Sequence, residues 1–333
     1  MPEHSEGIRV GRELLEATRP YVEESAATSW WHVCSTFALM IAALTLAGMI
    51  PWWPLRAVFS VLGALLMVRA FITFHDYLHG AILKDSRIAY WLFHAYGALA
   101  LAPTRSWRAS HNYHHGHVGQ ITDATVGAFP LITARMWRDA TWWQRFTYRA
   151  QRNPLVVVFS YPVVFGINIT LLPLLKNPRK HLDSLTALLS HFGLIAVLLG
   201  VGGFSLAFFV VLLPMALASA MGSYLFFAQH SFRRMQIASP EAWSYYRGAL
   251  ESSSYMRMNR VMQWFTGNIG YHHIHHLNVR IPFYRLPEAM AAIPELQSPL
   301  TTTLAPGDIA DCFRYALWDE DKQRMVSYRE ALG

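Results

Sequence analysis

Eight of the sixteen histidines in this sequence fall into three short clusters whose spacing suits a metal. In His75-Asp76-Tyr77-Leu78-His79 the imidazoles stand four residues apart, which on a helix is about 40° around the axis and about 6 Å along it. His111, His114 and His115 fall within about 100° of one another on the same wheel, and His272, His275 and His276 repeat that pattern. One such pair is common by chance. Three clusters supply more imidazole than one four-coordinate zinc uses, and close to what two metals of roughly four to six ligands each require. The eight are therefore read as the catalytic metal ligands, with His230, just after Gln229, as a ninth. His273 lies outside the repeated arc and reads as a supporting or surface residue. His94, His117, His181 and His191 lack partners at ligand spacing and read as structural, with His117 able to support the second cluster. Ligating histidines need their second nitrogen anchored. Asp76, Asn112 and Asn268 are the candidates, followed by Asp123 and Asn278. No HExxH and no ExxH occurs, which argues against a zinc hydrolase and a soluble di-iron carboxylate bundle. Imidazole alone leaves iron, copper, nickel and zinc open.

Such clusters need a scaffold, and the composition says which kind. The chain is 53% hydrophobic and only 15% charged, the balance of a membrane protein. Apolar runs near 30–50, 57–74, 184–203 and 204–228 are each long enough, or nearly so, to cross a hydrocarbon core of about 30 Å. The first run begins only after about 28 residues of mixed charge, too late and too acidic a start for a cleavable signal peptide. The turn Met49-Ile50-Pro51-Trp52-Trp53 is uncharged and belongs outside, whereas the arginine-rich stretch from Arg105 to Arg152 belongs in the cytoplasm. A shared metal site then demands an even number of crossings between the second and third clusters. The segment 155–175, with Pro162, Asn168 and Pro173 inside and Lys176, Arg179 and Lys180 after it, is accordingly read as interfacial. So is 88–103. The runs 184–203 and 204–228 form a hairpin about Gly200-Val201-Gly202-Gly203.

The expected fold is all-α and integral to the membrane, one domain over 1–333. It has four transmembrane helices, both termini inside, and a cytoplasmic helical cap holding a histidine-ligated dimetal site. Arg9 to Glu24 and Cys312 to Glu320 read as amphipathic helices of that cap. The net charge of +7 is accounted for by arginines beside apolar runs, so no nucleic-acid partner is expected. Cys34 and Cys312 form neither a CxxC pair nor a disulfide framework.

The chain resembles the membrane acyl-lipid fatty-acid desaturases, bacterial and with three histidine boxes. The stretch Phe74-His75-Asp76-Tyr77-Leu78-His79-Gly80 looks like the family's HDxxH. Ser106-Trp107-Arg108-Ala109-Ser110-His111-Asn112-Tyr113-His114-His115 looks like its SWRxSHNxHH. Gly267-Asn268-Ile269-Gly270-Tyr271-His272-His273-Ile274-His275-His276-Leu277, followed by Arg280-Ile281-Pro282-Phe283-Tyr284-Arg285-Leu286, is similar to its GNIGYHHIHHLxxRIPxYxL. Phe227-Ala228-Gln229-His230 resembles its VQH element, with Ala228 for the usual valine, and Tyr77-Leu78 departs from the usual filling of the first box. The resemblance implies two iron ions that, once reduced by two electrons, use O2 to remove two hydrogens from adjacent methylenes of an acyl chain. It also implies an active site on the cytoplasmic side of a bacterial inner membrane, within reach of membrane lipids. No haem-binding HPGG-like motif or flavin fingerprint occurs, so a separate donor of the ferredoxin or cytochrome b5 type is expected to dock on the arginine-rich face. Two rival readings stand beside this one. A di-iron hydroxylase or other oxygenase needs nearly the same ligands. A non-enzymatic metal-binding membrane protein predicts ionisable groups at mid-membrane depth, where only His191 lies.

Overall fold

The computed structural model describes residues 9–121 and 129–332. A short helix α1 (Arg12–Ala17) passes into a 3₁₀ turn over Arg19–Tyr21. The helix expected over Arg9 to Glu24 is thus cut to six residues, because Pro20 has no N–H to donate to Glu16 O and its ring crowds that turn. Helix α2 (Ala26–Met49) is capped by Ser25, whose Oγ accepts from Thr28 N at 3.3 Å, and it ends just before Pro51. Helix α3 (Trp53–His79) carries Pro54 in its first turn and stops at Gly80, whose φ of 70° is the left-handed cap that glycine supplies without strain. The two pack closely along Gly63, where a Cβ would stand 2.6 Å from Leu44 Cδ2. Helix α4 (Arg87–Leu99) is capped by Ser86 Oγ, and α5 (Thr104–His117) follows.

After residue 128 come β1 (Ile132–Thr133), α6 (Ala134–Asp139), α7 (Trp142–Gln151) and α8 (Pro154–Val158). A wide helix of π geometry over Tyr161–Leu171 leads into α9 (Leu172–Lys176). Then come α10 (Leu182–Ala207) and α11 (Leu213–Gln229). Among the described residues, three helical stretches are long and apolar enough to cross a membrane: α2, α3 and the 48 residues Leu182–Gln229. The last of these breaks at Gly203, with φ 68° and ψ −170°, a conformation that a Cβ would oppose. Near the break, Arg56 Nη1 donates to Ser205 Oγ at 2.7 Å and Ser60 Oγ to Phe209 O at 2.6 Å, beside the α2–α3 turn. At the other extreme Asp183 Oδ2 accepts from Arg105 N at 2.9 Å, and Gln229 Nε2 donates to Ile269 O at 2.8 Å. Both ends of the stretch therefore reach the histidine-bearing elements, while its middle reaches the opposite end of α2 and α3. His191 is spent on packing: its Nδ1 donates to Leu99 O at 2.7 Å and its Nε2 meets the Tyr161 hydroxyl.

The remaining elements follow in chain order. They are α12 (Tyr245–Glu251), β2 (Tyr255–Arg257), α13 (Arg260–Phe265), α14 (His272–Leu277), α15 (Leu286–Ala292), β3 (Thr301–Thr303) and α16 (Pro306–Arg314), then β4 (Tyr315–Asp319) and β5 (Arg324–Ser327). Strand β4 is central, parallel to β1 and antiparallel to β5, while β2 and β3 pair in parallel. The fold is therefore mostly helical, with two small sheets where an all-α fold was expected. The helix expected over Cys312 to Glu320 ends at Arg314, because every residue of Tyr315–Asp319 is buried. A segment covered on both faces and rich in Tyr, Leu and Trp suits a central strand. It closes a second small core of Trp137, Tyr148, Leu317 and Val326, fastened by the Tyr148 hydroxyl to Ala316 O at 2.5 Å.

Candidate metal centre

The last turn of α3, the middle of α5, the end of α11 and the whole of α14 converge. All eight clustered histidines are there, and His230 joins them. They sort into two groups that cut across the sequence clusters. His75, His79, His111, His115 and His275 each offer a nitrogen, all within 4.8 Å of one another, and so do His114, His230 and His276. His272 belongs with the second group, its Nε2 lying 2.8 Å from that of His230 and 3.1 Å from that of His276.

The nitrogens face one another in a way hydrogen bonding cannot satisfy. His111 Nε2 meets His75 Nε2 at 2.9 Å and His115 Nε2 at 3.0 Å, and His275 Nε2 meets His115 Nε2 at 3.2 Å. A neutral imidazole carries one proton on its two nitrogens, so these converging atoms cannot all be donor and acceptor in turn. A cation among them satisfies every lone pair together. The donor set thus fits a metal that accepts imidazole, and the chain carries a histidine-rich metal-binding cluster.

Electrostatics agree. Burial, followed by the mutual repulsion of neighbouring rings, holds His111, His114, His115, His272, His275 and His276 well below the ordinary histidine range. Burial takes His230 down to about 4, opposed by its bond to a carbonyl. Neutral imidazole is the form that binds metal. Two rings are oriented from behind. His75 Nδ1 lies 3.1 Å from Asp76 Oδ1, whose other oxygen accepts from Phe283 N at 2.7 Å, and His230 Nδ1 donates to Ser252 O at 3.1 Å. Each arrangement leaves Nε2 turned toward its group.

Of the expected anchors among the described residues, Asp76 alone touches a ligand. Asn112 is exposed, since one residue on from His111 is about 100° around the helix. Asn268, at φ 55°, donates to Phe283 O at 3.1 Å and supports Asp76 only through that residue. Asn278 bonds Thr18 Oγ1 at 2.8 Å, and Asp123 lies outside the described residues. His273 is buried, not at the surface, with Nε2 3.3 Å from Leu296 O. His117 stacks on Tyr113, and His181 Nδ1 meets Ser106 Oγ at 2.6 Å. Trp107, which sequence reasoning passed over, stacks on His111 with ring centroids 4.3 Å apart. Its signal was available, because it stands four residues earlier on the same helix face. Ser252 gave none, as it acts through its backbone.

Comparison with known proteins agrees with this geometry. The sequence model of the fatty acid desaturase family matches residues 50–303. A fatty acid desaturase of Bacillus subtilis is 32% identical over 272 residues, covering 81% of this chain and 76% of its own. A probable fatty acid desaturase of Sorghum bicolor is 26% identical, covering 79% of this chain and 70% of its own. A Synechocystis sn-1 acyl-lipid omega-3 desaturase (ferredoxin) is 25% identical, covering 81% and 76%. With its histidines gathered into one buried cluster and most of its length matched, the chain belongs to the fatty acid desaturase family.

Proposed function

We propose that this desaturase acts on the acyl chains of membrane lipids, with nine histidines holding two iron ions. His75, His79, His111, His115 and His275 form one ligand set, and His114, His230, His272 and His276 the other. The observation that carries the proposal is this division of the converging nitrogens into two adjacent groups. Iron held there would supply the oxidising power: one hydrogen from each of two neighbouring methylenes, with O2, two donor electrons and two protons, would give a double bond and two waters.

The protein's part is to hold and to shield. Asp76 and Ser252 fix the rings of His75 and His230, so that neither has to reorient when metal is bound. Trp107 and Phe226, whose ring centroid lies 4.9 Å from that of His114, pack beside the second-cluster histidines and keep water from that side. In our reading the whole chain is one domain with four spans, Leu182–Gln229 crossing twice about Gly203. The metal centre then faces the cytoplasm at a bacterial inner membrane, where a soluble donor reaches it. The name of the Synechocystis relative, an acyl-lipid desaturase working with ferredoxin, supports both the lipid substrate and a ferredoxin-type donor, with a cytochrome b5 type as the counterpart.

Expression in a bacterium lacking desaturases, with a supplied electron donor, tests the activity. Lipid mass spectrometry should reveal new double bonds. Hydroxylated lipids instead would favour an oxygenase, and unchanged lipids would contradict the proposal. A reporter fused after residue 180 should read as cytoplasmic, and an external signal would overturn the four-span arrangement.

A further inference from the structure

We infer that a cavity beside α13 holds the phosphodiester headgroup of an anionic phospholipid, whose acyl chain lies in the adjoining groove between α2 and α3. The cavity, of about 380 Å³, is lined by His32 from the start of α2, Arg69 from α3, Arg260 and Trp264 from α13, and Tyr255 and Tyr271. No acidic residue lines it. Arg69 is only 2% exposed, yet it makes no ion pair among the described residues. Its Nε donates to Thr36 Oγ1 at 3.0 Å, one terminal nitrogen to Trp264 O, and the other to His32 Nδ1 at 3.1 Å. Its guanidinium lies 4.2 Å from the Trp264 ring centre. These partners are all neutral, so the charge is solvated but not balanced.

A buried guanidinium stays protonated and is costly without an anion. The neighbours offer more donors. Because Arg69 donates to His32 Nδ1, the proton of a neutral His32 sits on Nε2 and is free to bond. Arg260 adds a second cation, and Tyr255 and Tyr271, whose hydroxyls hydrogen-bond each other, leave one O–H to donate. Gln263 Oε1 is buried in the wall without a partner, and a half-turn of its amide presents NH₂ instead. Donors from several walls suit a tetrahedral phosphate better than a carboxylate, which offers two oxygens in one plane.

A second hollow of about 330 Å³ identifies the rest of the ligand. It is apolar, bounded by Leu39, Ala43, Leu46, Phe59 and Leu66, and it shares Trp264 with the cavity. Leu39 and Leu46 lie about two and four turns beyond His32 on α2, and Leu66 about one turn before Arg69 on α3. The groove therefore runs from the charged pocket toward mid-membrane, in the order in which a lipid presents head and chain. Trp31 and Val261, sequence neighbours of the lining residues His32 and Arg260, are 70% and 63% exposed and put uncovered apolar surface beside the pocket. Six residues separate Arg69 from His75, about 120° around the helix, so this site lies on another face of α3 from the metals. The inference does not rest on the desaturation reading.

The test uses the full chain in an uncharged detergent, with tryptophan fluorescence quenched by phosphatidylglycerol carrying brominated chains. Quenching should saturate, with affinity about tenfold above that of brominated diacylglycerol, which lacks the phosphate. Trp264→Phe should lower the saturable quenching, which places the lipid against Trp264, while the exposed Trp31 beside the pocket keeps a smaller response. Arg260→Gln, at an exposed position and so safe for folding, should weaken binding about tenfold. Equal quenching by the two lipids, or unchanged affinity in Arg260→Gln, would overturn the inference. So would displacement by inorganic phosphate alone, or equally tight binding of a brominated fatty acid, which would assign the pocket to free phosphate or to a carboxylate.

Discussion

Replacing Asp76 by asparagine keeps its shape and changes only its hydrogen-bonding pattern. Asp76 is 1% exposed, with Oδ1 3.1 Å from His75 Nδ1 and Oδ2 accepting from Phe283 N at 2.7 Å. Asparagine has one acceptor oxygen where two are used, so one contact in Asp76→Asn becomes donor against donor. Leaving a buried hydrogen-bonding group without its partner costs about 1–3 kcal/mol, equivalent to about 5- to 150-fold in an equilibrium constant. If the loss falls on His75, the ring turns or changes tautomer and iron binds more weakly by about that factor. If it falls on Phe283, the cap segment behind α14 loosens and thermal stability falls instead. Two measurements separate these cases: anaerobic competition for ferrous iron with a chelator of known affinity, and thermal unfolding of the metal-free protein. We expect iron affinity to drop by about 5-fold or more while helical content is kept. Native iron affinity together with native unfolding in Asp76→Asn would refute the reasoning.

Other consequences follow from the same contacts. His230→Ala should leave the second group three-membered and cost roughly half the bound iron, measured by elemental analysis; an unchanged iron content would remove His230 from the ligands. Gly63→Leu forces a side chain against Leu44 and should lower the thermal midpoint in detergent by an overpacking cost of about 1–3 kcal/mol. An unaltered midpoint would show that α2 and α3 separate freely. Burial holds His230 and His273 at about 4, below their ordinary 6.5. The unfolded chain then binds more protons between those values, so metal-free protein has its full stability above pH about 6.5 and loses it as pH falls toward about 4. A midpoint that rises on acidification would contradict this.

The metal cluster was legible because helical spacing puts histidines four apart on one face, whatever the tertiary fold. Their division into two groups was not. His114 faces His230 and His276 while His115, its neighbour in sequence, faces His111 and His275, a consequence of how α5 lies across α14. Asn112 and Asn268 were plausible anchors by proximity in sequence, yet the carbonyl of Ser252 does the holding, and a backbone group leaves no mark in the side-chain pattern. The glycine break at Gly203 was readable because its conformation is one that glycine permits. Tyr315–Asp319 was misread because its local pattern is compatible with helix, and only Ile132–Thr133 and Arg324–Ser327, distant in sequence, make it a strand.

If the gathered histidines hold a pair of irons, as proposed, the metal should copurify with the chain. The most direct measurement is the iron content of the chain purified without oxygen from iron-supplied cells, counted against protein by elemental analysis. About two irons per chain and no stoichiometric zinc are the expected result. A single ion per chain, or zinc in place of iron, would contradict it.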